Sequence, residues 1–318
     1  MVKLCSVLLF LIQPIAYGSY VRKHYQITMD VLPDQHALSQ RWAGFGQNLA
    51  YFVHSNTDII VLSFFCDLKT VSVYSVYTLV IKHLQSFFKS FSHAFHPILG
   101  KDIAMQDEKK ALCHLDIYEL IVISVATIIF GCCIYLMPSF ALLYTNGVSD
   151  TNYFRPIFAA IIIMAEYVCC VREPYVAIVS GAGKFKETAN SAYTEAGINI
   201  VLSVLLVKKF GLEGIAVGTF IGMFYRMLYL VFYINRNIMR CSIWKPLKRW
   251  IMSVATIILS YNCVRFMDKT GSATVLLWLK NAFICGFVFS GFTILSMVLF
   301  ERTSVKNLIL AVRTKEKN

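Results

Sequence analysis

The sequence predicts an all-α protein, a polytopic bundle of about nine transmembrane helices. Hydrophobic residues make up 57% of the chain and charged residues only 15%, whereas soluble domains contain about 25% charged residues. Several stretches approach the roughly 20 apolar residues that a helix needs to cross a bilayer. The bilayer core offers no hydrogen-bond partners to an exposed backbone, so each span is expected to be helical.

Hydropathy places the nine spans in order along the chain, and the polar segments between them are too short for a soluble domain. The first, sixth and eighth spans are the shortest. The first has an alternative interpretation as a signal peptide, with Lys3, an apolar core and a cleavage site near Ala16. The predicted spans are 4–19, 44–66, 71–88, 117–141, 157–179, 191–207, 214–233, 250–264 and 275–300.

The net charge of +12 follows the membrane topology and does not indicate a nucleic-acid partner. Lysine and arginine concentrate in alternate loops and in the tail after 301. Because cytoplasmic loops carry the excess of positive residues, the C-terminus is predicted to be cytoplasmic. Nine spans then place the N-terminus outside.

The third span carries a narrow polar stripe. Its polar residues recur every three or four positions, which places them on one face of an α-helix. Such a face avoids acyl chains, so we expect it to line a water-filled cavity. A helix on the membrane surface, or polar contacts between helices, are the open alternatives. The stripe consists of Ser75, Thr78, Lys82, Gln85, Lys89 and Ser92.

Two other spans contain ionisable residues, and placing such residues within the bilayer costs free energy. The second span holds a polar segment from His54 to Asp58, and the fifth holds Glu166, Arg172 and Glu173. Glu166 lies deepest and is the stronger functional candidate. Arg172 and Glu173 have an equally good interpretation as interfacial residues whose charged ends reach the headgroups.

The segment KKFGLEG, 208–214, is predicted to be a tight outer turn between the sixth and seventh spans. Gly211 and Gly214 permit the reversal because glycine adopts backbone conformations closed to other residues. Lys208 and Lys209 are expected at the level of the lipid headgroups.

The sequence contains none of the common catalytic motifs, such as GxSxG, HExxH or a complete P-loop. Its histidines are dispersed, and its cysteines have no zinc-binding spacing. We therefore expect a protein that is not an enzyme and that has no cofactor and no metal site.

Two segments resemble a known family. They are REPYVAIVSGAGKFKETANSAYTEAGINIVLSVLLVKKFGLEGIAVGTFIGMFYR, 172–226, and NTDIIVLSFFCDLKTVSVYSVYTLV, 56–80. Both are similar to the Wzx-type polysaccharide (O-antigen) flippases of the multidrug/oligosaccharidyl-lipid/polysaccharide exporter superfamily. The matched features are a Gly-Lys turn before a helix with an early Asn, then a Lys-rich turn before a Gly-Thr helix.

The resemblance implies a domain organisation. Family members have 12 to 14 spans in two bundles and begin inside the cell, so this chain corresponds to the sixth span onward, as an N-terminally truncated copy. Residues 1–43 are then the last span of the first bundle and a cytoplasmic linker. Residues 44–240 form the second six-helix bundle, and 241–318 form two extra spans with a basic tail.

The resemblance also implies a function. The protein would move a polyprenyl-diphosphate-linked oligosaccharide across the bacterial cytoplasmic (inner) membrane by alternating access, for surface polysaccharide such as the O-antigen of lipopolysaccharide. Membrane lipid and glycan polymerases are expected partners, and nucleic acid is not. Candidate substrate-binding residues are Lys82, Arg172, Arg226, Asn56 and Gln85, and candidate ion-coupling residues are Asp58 and Glu166.

Two alternatives stay open at this point. A cation-coupled multidrug exporter of the same superfamily would favour an aromatic and acidic cavity, whereas the stripe contains Lys82 and Lys89. A membrane-embedded glycan polymerase or ligase would usually carry a large outer loop, and the outer loops predicted here are short.

Overall fold

The structure is a computed structural model that describes residues 2–25, 41–267 and 274–315. Every regular element in these ranges is an α-helix, which confirms the predicted fold class. The helices are α1 (Val2–His24), α2 (Arg41–Phe65), α3 (Leu68–His93), α4 (His96–Ala104), α5 (Glu108–Tyr144), α6 (Pro156–Val171), α7 (Glu173–Gly181), α8 (Phe185–Asn237), α9 (Trp244–Met267), α10 (Val275–Phe300) and α11 (Arg302–Lys315).

The chain divides into two compact units after Arg41. The first unit contains α1, which covers the first predicted span, includes Pro14 and ends in Arg22, Lys23 and His24. Cations are favourable at this end of a helix because the helix dipole is negative there. The second unit contains the rest of the described chain, including every candidate site residue. The predicted boundaries at 43 and 240 stay predictions.

The helices of the second unit agree with the predicted spans. Within the described ranges, α5, α9 and α10 are long and apolar enough to cross a membrane by themselves. Helix α10 turns most of its surface outward, with Phe283 79% exposed and Phe287 84% exposed. Exposed aromatic residues on so apolar a helix are those expected to face lipid.

The predicted fifth span is two helices. Helix α6 ends at Val171 and α7 begins at Glu173, with Arg172 between them. Pro174 lies in the first turn of α7 and has no N–H to donate to the preceding turn, so the helix is interrupted there. The interruption matters because Arg172 is one of the predicted substrate-binding residues.

The predicted sixth and seventh spans are the two halves of α8, which Gly211 separates. Gly211 has φ 55° and ψ −125°, in the region that glycine tolerates and other residues rarely adopt. The prediction that the chain turns at Gly211 is therefore confirmed.

Glycines also let the two halves of α8 lie close together. A Cβ atom added to Gly218 would lie 2.7 Å from Ser203 Oγ, and one added to Gly222 would lie 3.0 Å from the backbone oxygen of Glu195. Gly218 faces Ser203, whereas Gly222, further along the chain, faces Glu195, which lies before Ser203. The two halves therefore form an antiparallel hairpin. This hairpin brings residues near 199 and 219 together.

Helix α6 occupies the centre of the second unit, between α5 and α8. Its side chains from Phe158 to Val171 are mostly buried because neighbouring helices cover it all around. Helices α9 and α10 pack on α5, and α4 packs on α7. Helix α2 joins α8 through Gln47, whose Nε2 donates to the Phe185 carbonyl oxygen at 2.7 Å.

Candidate functional site

A cavity of about 270 Å³ lies among α2, α3, α6 and the second half of α8. The polar stripe of α3 faces it, as predicted, through Thr78, Lys82 and Gln85. The complete lining is Tyr51, His54, Ser55, Asp58, Tyr74, Thr78, Ile81, Lys82, Gln85, Ile162, Glu166, Thr219 and Met223.

Of the other stripe residues, Lys89 and Ser92 contact neighbouring helices, whereas Ser75 is exposed and donates to the Val71 carbonyl oxygen of its own helix. Lys89 Nζ lies 3.1 Å from the Tyr51 hydroxyl and 4.7 Å from the centre of the same ring. Ser92 is buried and hydrogen-bonded to the Tyr118 hydroxyl. The stripe is therefore part cavity wall and part contact between helices, so both interpretations apply to different parts of it.

Asp58 is the centre of a buried polar cluster, the Asp58 cluster, formed with Tyr74, Asn199 and Thr219. Its Oδ2 accepts hydrogen bonds from the Tyr74 hydroxyl at 3.0 Å and the Thr219 hydroxyl at 2.9 Å. Its Oδ1 accepts from Asn199 Nδ2 at 3.3 Å. The carboxyl group belongs to a residue that is 3% exposed, and it connects α2, α3 and both halves of α8.

Oxygen atoms without partners lie in the same region. Among the described residues, Asn199 Oδ1 and Ser203 Oγ are buried and have no hydrogen-bond partner. Asn199 and Ser203 are four residues apart, so they share one face of the first half of α8. The hairpin places Ser203 against Gly218, next to Thr219.

The short connection between α2 and α3 lies next to the two helices that carry Asp58 and Tyr74. Asp67 caps α3 by accepting hydrogen bonds from Thr70, at 2.5 Å from the hydroxyl and 3.1 Å from the backbone N–H. These bonds lower the pKa of Asp67 from its ordinary value, because they stabilise its charged form. The turn is thereby fixed only a few residues from the cavity.

Glu166 and Lys82 give the cavity two further ionisable groups. Gln85 Nε2 donates a hydrogen bond of 2.6 Å to Glu166 Oε2 and joins α3 to α6. Lys82 is exposed to the cavity, and no carboxylate in the described ranges lies within ion-pair distance of its ammonium group. Lys82 is therefore a cation available to a bound anion.

Arg172 and Arg226 share one carboxylate behind the cavity, in what we name the Glu195 cluster. Arg172 Nη1 lies 2.6 Å from Glu195 Oε1, and Arg226 Nη1 lies 2.8 Å from Glu195 Oε2. All three residues are buried, at 4%, 8% and 3% exposed for Arg172, Arg226 and Glu195. Two guanidinium groups and one carboxylate leave one buried positive charge in excess.

The structure thus brings most of the predicted site residues together. Lys82, Gln85, Asp58 and Glu166 line the cavity. Arg172 and Arg226 belong to the Glu195 cluster and are not part of the lining. Asn56 is outside the lining too, and its side-chain N–H donates to the Phe52 carbonyl oxygen of its own helix at 2.8 Å. The binding roles assigned to these residues stay predictions.

Sequence reasoning missed several residues of this region. Glu195 and Asn199 are four apart on α8, a helical spacing that marks one polar face. His54 precedes Asp58 by one turn of α2 and is 4% exposed, and in the described structure neither of its ring nitrogens has a partner. These spacings are present in the sequence, but only the hairpin of α8 shows which faces meet.

A second buried charge cluster, the Arg249 cluster, joins α5, α9 and the α10–α11 junction. Arg249 Nη1 lies 3.0 Å from Glu119 Oε2, and Arg249 Nη2 lies 2.6 Å from Asp116 Oδ1 and 2.8 Å from Glu301 Oε2. Lys245 adds a 2.5 Å ion pair to Asp116. None of these residues lines the cavity, and the cluster ties together three helices that pack mainly through apolar side chains.

Comparison with known proteins finds a relative and, among similar solved structures, two that cover most of this chain. The chain is 24% identical over 245 residues to the uncharacterized membrane protein MJ1068 of Methanocaldococcus jannaschii, a match that covers 76% of this chain and 46% of the relative. No protein-family model matches the sequence. The chain thus spans about half the length of the curated relative it matches.

One of the solved structures is a lipid flippase and the other is a transporter. The lipid II flippase MurJ in an inward closed conformation has a TM-score of 0.65 at 16% identity, over 87% of this chain and 57% of that one. A MOP superfamily transporter from Pyrococcus furiosus, described as having a binding pocket of reverse polarity, has a TM-score of 0.52 at 14% identity, over 80% and 61%. The chain therefore has a MurJ-like membrane transporter fold and is a multi-pass membrane protein.

Proposed function

We propose that this chain belongs to a transporter that moves a polyprenyl-diphosphate-linked oligosaccharide across the cytoplasmic membrane, with its C-terminus in the cytoplasm. The observation that carries the proposal is the cavity bordered by Lys82, a lysine without a carboxylate partner in the described structure. The MurJ-like fold supports transport over an enzymatic role, and the resemblance to Wzx-type flippases supports the oligosaccharide-lipid substrate.

The charges around the cavity favour an anion once one carboxylate is neutralised. The region contains four cations, Lys82, Lys89, Arg172 and Arg226, and four carboxylates, those of Asp58, Glu166, Glu173 and Glu195. These charges balance when every carboxylate is ionised, so a proton or a cation bound at Asp58 or Glu166 leaves one positive charge in excess. Because charge in a low-dielectric site acts over several ångströms, the buried Glu195 cluster adds to the attraction exerted by Lys82.

The size of the cavity fits part of such a substrate. About 270 Å³ is near the lower end of the roughly 300–1,000 Å³ of small-molecule pockets. That volume accommodates a diphosphate group with adjoining sugar atoms, while the polyprenyl chain stays in lipid. In this arrangement Lys82 binds the diphosphate, Gln85 donates to oxygen atoms beside it, and Arg172 and Arg226 act through their field. Asn56 reaches the substrate only if α2 rotates during transport.

Asp58 is the best candidate for binding a coupling cation. A sodium ion prefers several oxygen ligands, and the buried Asp58 cluster supplies a carboxylate, an amide oxygen and a hydroxyl. Nothing in the described structure donates to Asn199 Oδ1. It becomes a ligand when the side-chain amide turns over, since Nδ2 is the atom that now faces Asp58. Glu166 is the second candidate, where a proton would release Gln85. Neutralising either carboxylate leaves one positive charge in excess and so strengthens anion binding.

The second candidate function is a cation-coupled multidrug exporter. It is favoured by the two carboxylates, Asp58 and Glu166, and the two aromatic residues, Tyr51 and Tyr74, that line the same cavity. A cationic drug would pair with these carboxylates where a diphosphate would pair with Lys82.

The test is ligand binding to the detergent-purified chain by native mass spectrometry, with undecaprenyl diphosphate and a cationic dye as probes. We expect the lipid to bind, and Lys82→Gln to weaken binding at least tenfold, since a hydrogen bond to a charged group contributes about 1.5–3 kcal/mol. Lys69→Gln, an exposed lysine on the same helix, is the matched control. Binding of the dye alone would favour the exporter, and equal lipid binding by both variants would reject the role of Lys82.

The coupling cation is tested separately by thermal unfolding in sodium chloride against choline chloride. We expect sodium to raise the melting temperature of the wild type and of Asp67→Asn, which alters only the exposed cap of α3. Asp58→Asn should abolish the sodium effect. If sodium still raises the melting temperature of Asp58→Asn, the ion binds at another site.

A further inference from the structure

His93, His96 and Glu173 come together where α3 ends and where α4 and α7 begin. The nearest ligand atoms of the three side chains all lie within 4.8 Å of one another. His96 Nε2 is 3.9 Å from Glu173 Oε2, and the two imidazole rings are 4.8 Å apart between centres. The three residues are outside the cavity lining, and the proposed transport function leaves them without a role.

The buried groups of this trio lack good partners. Glu173 is 6% exposed, and in the described ranges its one ion-pair contact is His96. A separation of 3.9 Å is too long for a hydrogen bond. His96 Nε2 is itself buried and has no hydrogen-bond partner among the described residues. Burying a ring nitrogen without a hydrogen-bond partner costs free energy, which a shared ligand would recover.

From this geometry we propose that His93, His96 and Glu173 bind a divalent transition-metal ion, with Zn²⁺ as the preferred occupant. Two imidazoles and one carboxylate are a common zinc donor set, and three protein ligands leave a fourth position for water. Imidazole selects zinc and related metals over magnesium or calcium, which prefer oxygen ligands only.

The site needs only a small rearrangement to close on the metal. Metal–ligand distances of about 2.0–2.2 Å require donor atoms roughly 3.4 Å apart in a tetrahedral site. His96 and Glu173 are already near this spacing at 3.9 Å. His93 is exposed, so its ring is free to rotate toward the other two ligands.

Packing holds His96 and Glu173 in place before any metal binds. Helix α4 lies against α7, and the contact is close because a Cβ atom on Gly181 would lie 2.9 Å from the Cα atom of Gly100. His96 and Glu173 each precede a proline in the first turn of their helices, which fixes the backbone there. Metal binding would therefore cross-link α3, α4 and α7.

The cross-link would reach the buried charges as well. Glu173 directly follows Arg172, the residue at the interruption between α6 and α7 and a member of the Glu195 cluster. A metal held by Glu173 would limit movement of that interruption. The sequence predicts no metal site, and this trio is not evident in it because Glu173 is distant in the chain from the two histidines.

The test is a Zn²⁺ titration of the complete chain, purified in detergent and stripped with EDTA, against a chromophoric chelator. We expect the wild type to bind one Zn²⁺ that His93→Ala binds at least tenfold more weakly. His83→Ala, an exposed histidine on the same helix whose Nδ1 lies 2.7 Å from the Leu79 carbonyl oxygen, is the control and should match the wild type. Binding by exposed thiols such as Cys113 is common to all variants and cancels in the comparison.

A second readout is the visible spectrum of the Co²⁺-loaded protein. Tetrahedral coordination of Co²⁺ gives intense absorption in the visible range, and we expect it in the wild type and His83→Ala but not in His93→Ala. If His93→Ala does not fold, His93→Gln replaces it, since this position is on the surface. Equal Zn²⁺ affinity in the wild type and the His93 variant, or no Zn²⁺ binding by the wild type, would overturn the proposal. Both readouts use the metal alone and are independent of transport.

Discussion

Replacing Glu195 with glutamine should be among the most destabilising single changes in this protein. Both carboxylate oxygens of Glu195 are occupied, at 2.6 Å by Arg172 and at 2.8 Å by Arg226. The substitution removes the anion from a cluster in which Arg172 is 4% exposed and Arg226 8% exposed. Two guanidinium groups would then repel each other without a counter-charge.

The expected magnitude follows from the burial of the cluster. Breaking a buried ion pair by removing one partner costs about 3–5 kcal/mol because the remaining charge is left uncompensated. Two such charges remain here, so we expect the upper part of that range. Native proteins have unfolding free energies of roughly 5–15 kcal/mol, and each kcal/mol lowers the melting temperature of a chain of this size by about 2–4 °C. The melting temperature should therefore fall by about 10 °C or more.

The assay is thermal unfolding in detergent, followed by tryptophan fluorescence. Glu187→Gln is the matched control, because Glu187 lies two turns earlier on α8 and makes an exposed pair with Lys184 at 3.0 Å. Exposed pairs contribute little, so this variant should behave as the wild type does. Adding Arg226→Met to Glu195→Gln restores the original net charge and should recover part of the loss. A Glu195→Gln variant as stable as Glu187→Gln would refute the reasoning.

Three further predictions concern stability. Arg249→Met should lower the free energy of unfolding by about 3–5 kcal/mol in chemical unfolding. It leaves the buried carboxylates of Glu119 and Glu301 without their ion-pair partner, whereas Asp116 keeps Lys245. A loss below about 1 kcal/mol would contradict this. Gly211→Ala should cost about 1–3 kcal/mol because its φ of 55° and ψ of −125° lie in a region that residues with a Cβ atom rarely adopt. Gly197→Ala, in a helical region with open space, should be neutral or stabilising in the same assay. Hydrogen bonds from Lys110 lower the pKa of Asp107, the cap of α5. The stabilisation that Asp107 gives the folded protein should therefore be present above the ordinary aspartate pKa and be lost as pH falls through the lowered value. If the stability difference between Asp107→Ala and the wild type does not shrink in acid, that role is excluded.

The helices are predictable because the bilayer allows so few alternatives. A long apolar segment must satisfy its own backbone hydrogen bonds, so hydropathy alone locates α5, α9 and α10. The interruption at Arg172 is less evident, although Pro174 two residues later marks it. The turn at Gly211 is predictable because a glycine between two apolar runs is a common place for a chain to reverse.

The site is predictable only where one helix determines it. Thr78, Lys82 and Gln85 line the cavity because helical spacing places them on one face of α3. Asn56 shows the limit of this reasoning. It is two residues from Asp58, a rotation of about 200° around the helix, so Asp58 faces α8 while Asn56 bonds to its own backbone.

Contacts between distant helices cannot be predicted from spacing. The sequence suggests Arg172 and Arg226 as independent substrate ligands, but the hairpin of α8 gives them Glu195 as a common partner. Likewise, Gln85 and Glu166 are hydrogen-bonded although 81 residues separate them in the chain. Which charges compensate each other depends on how the helices assemble. Residue spacing along a single sequence does not show these contacts.

The cavity and the Asp58 cluster have residues in common, so a cation bound at Asp58 would affect substrate binding. Thr219 and Tyr74 line the cavity and also donate to Asp58, so a cation at Asp58 would displace or reorient groups that face the substrate. The same cation would draw α2 toward both halves of α8. If a cation strengthens anion binding by a given factor, the anion must strengthen cation binding by the same factor. The sodium dependence of undecaprenyl diphosphate binding should therefore disappear in Asp58→Asn. A sodium dependence that persists in this variant would show that the Asp58 site and the anion site are not coupled.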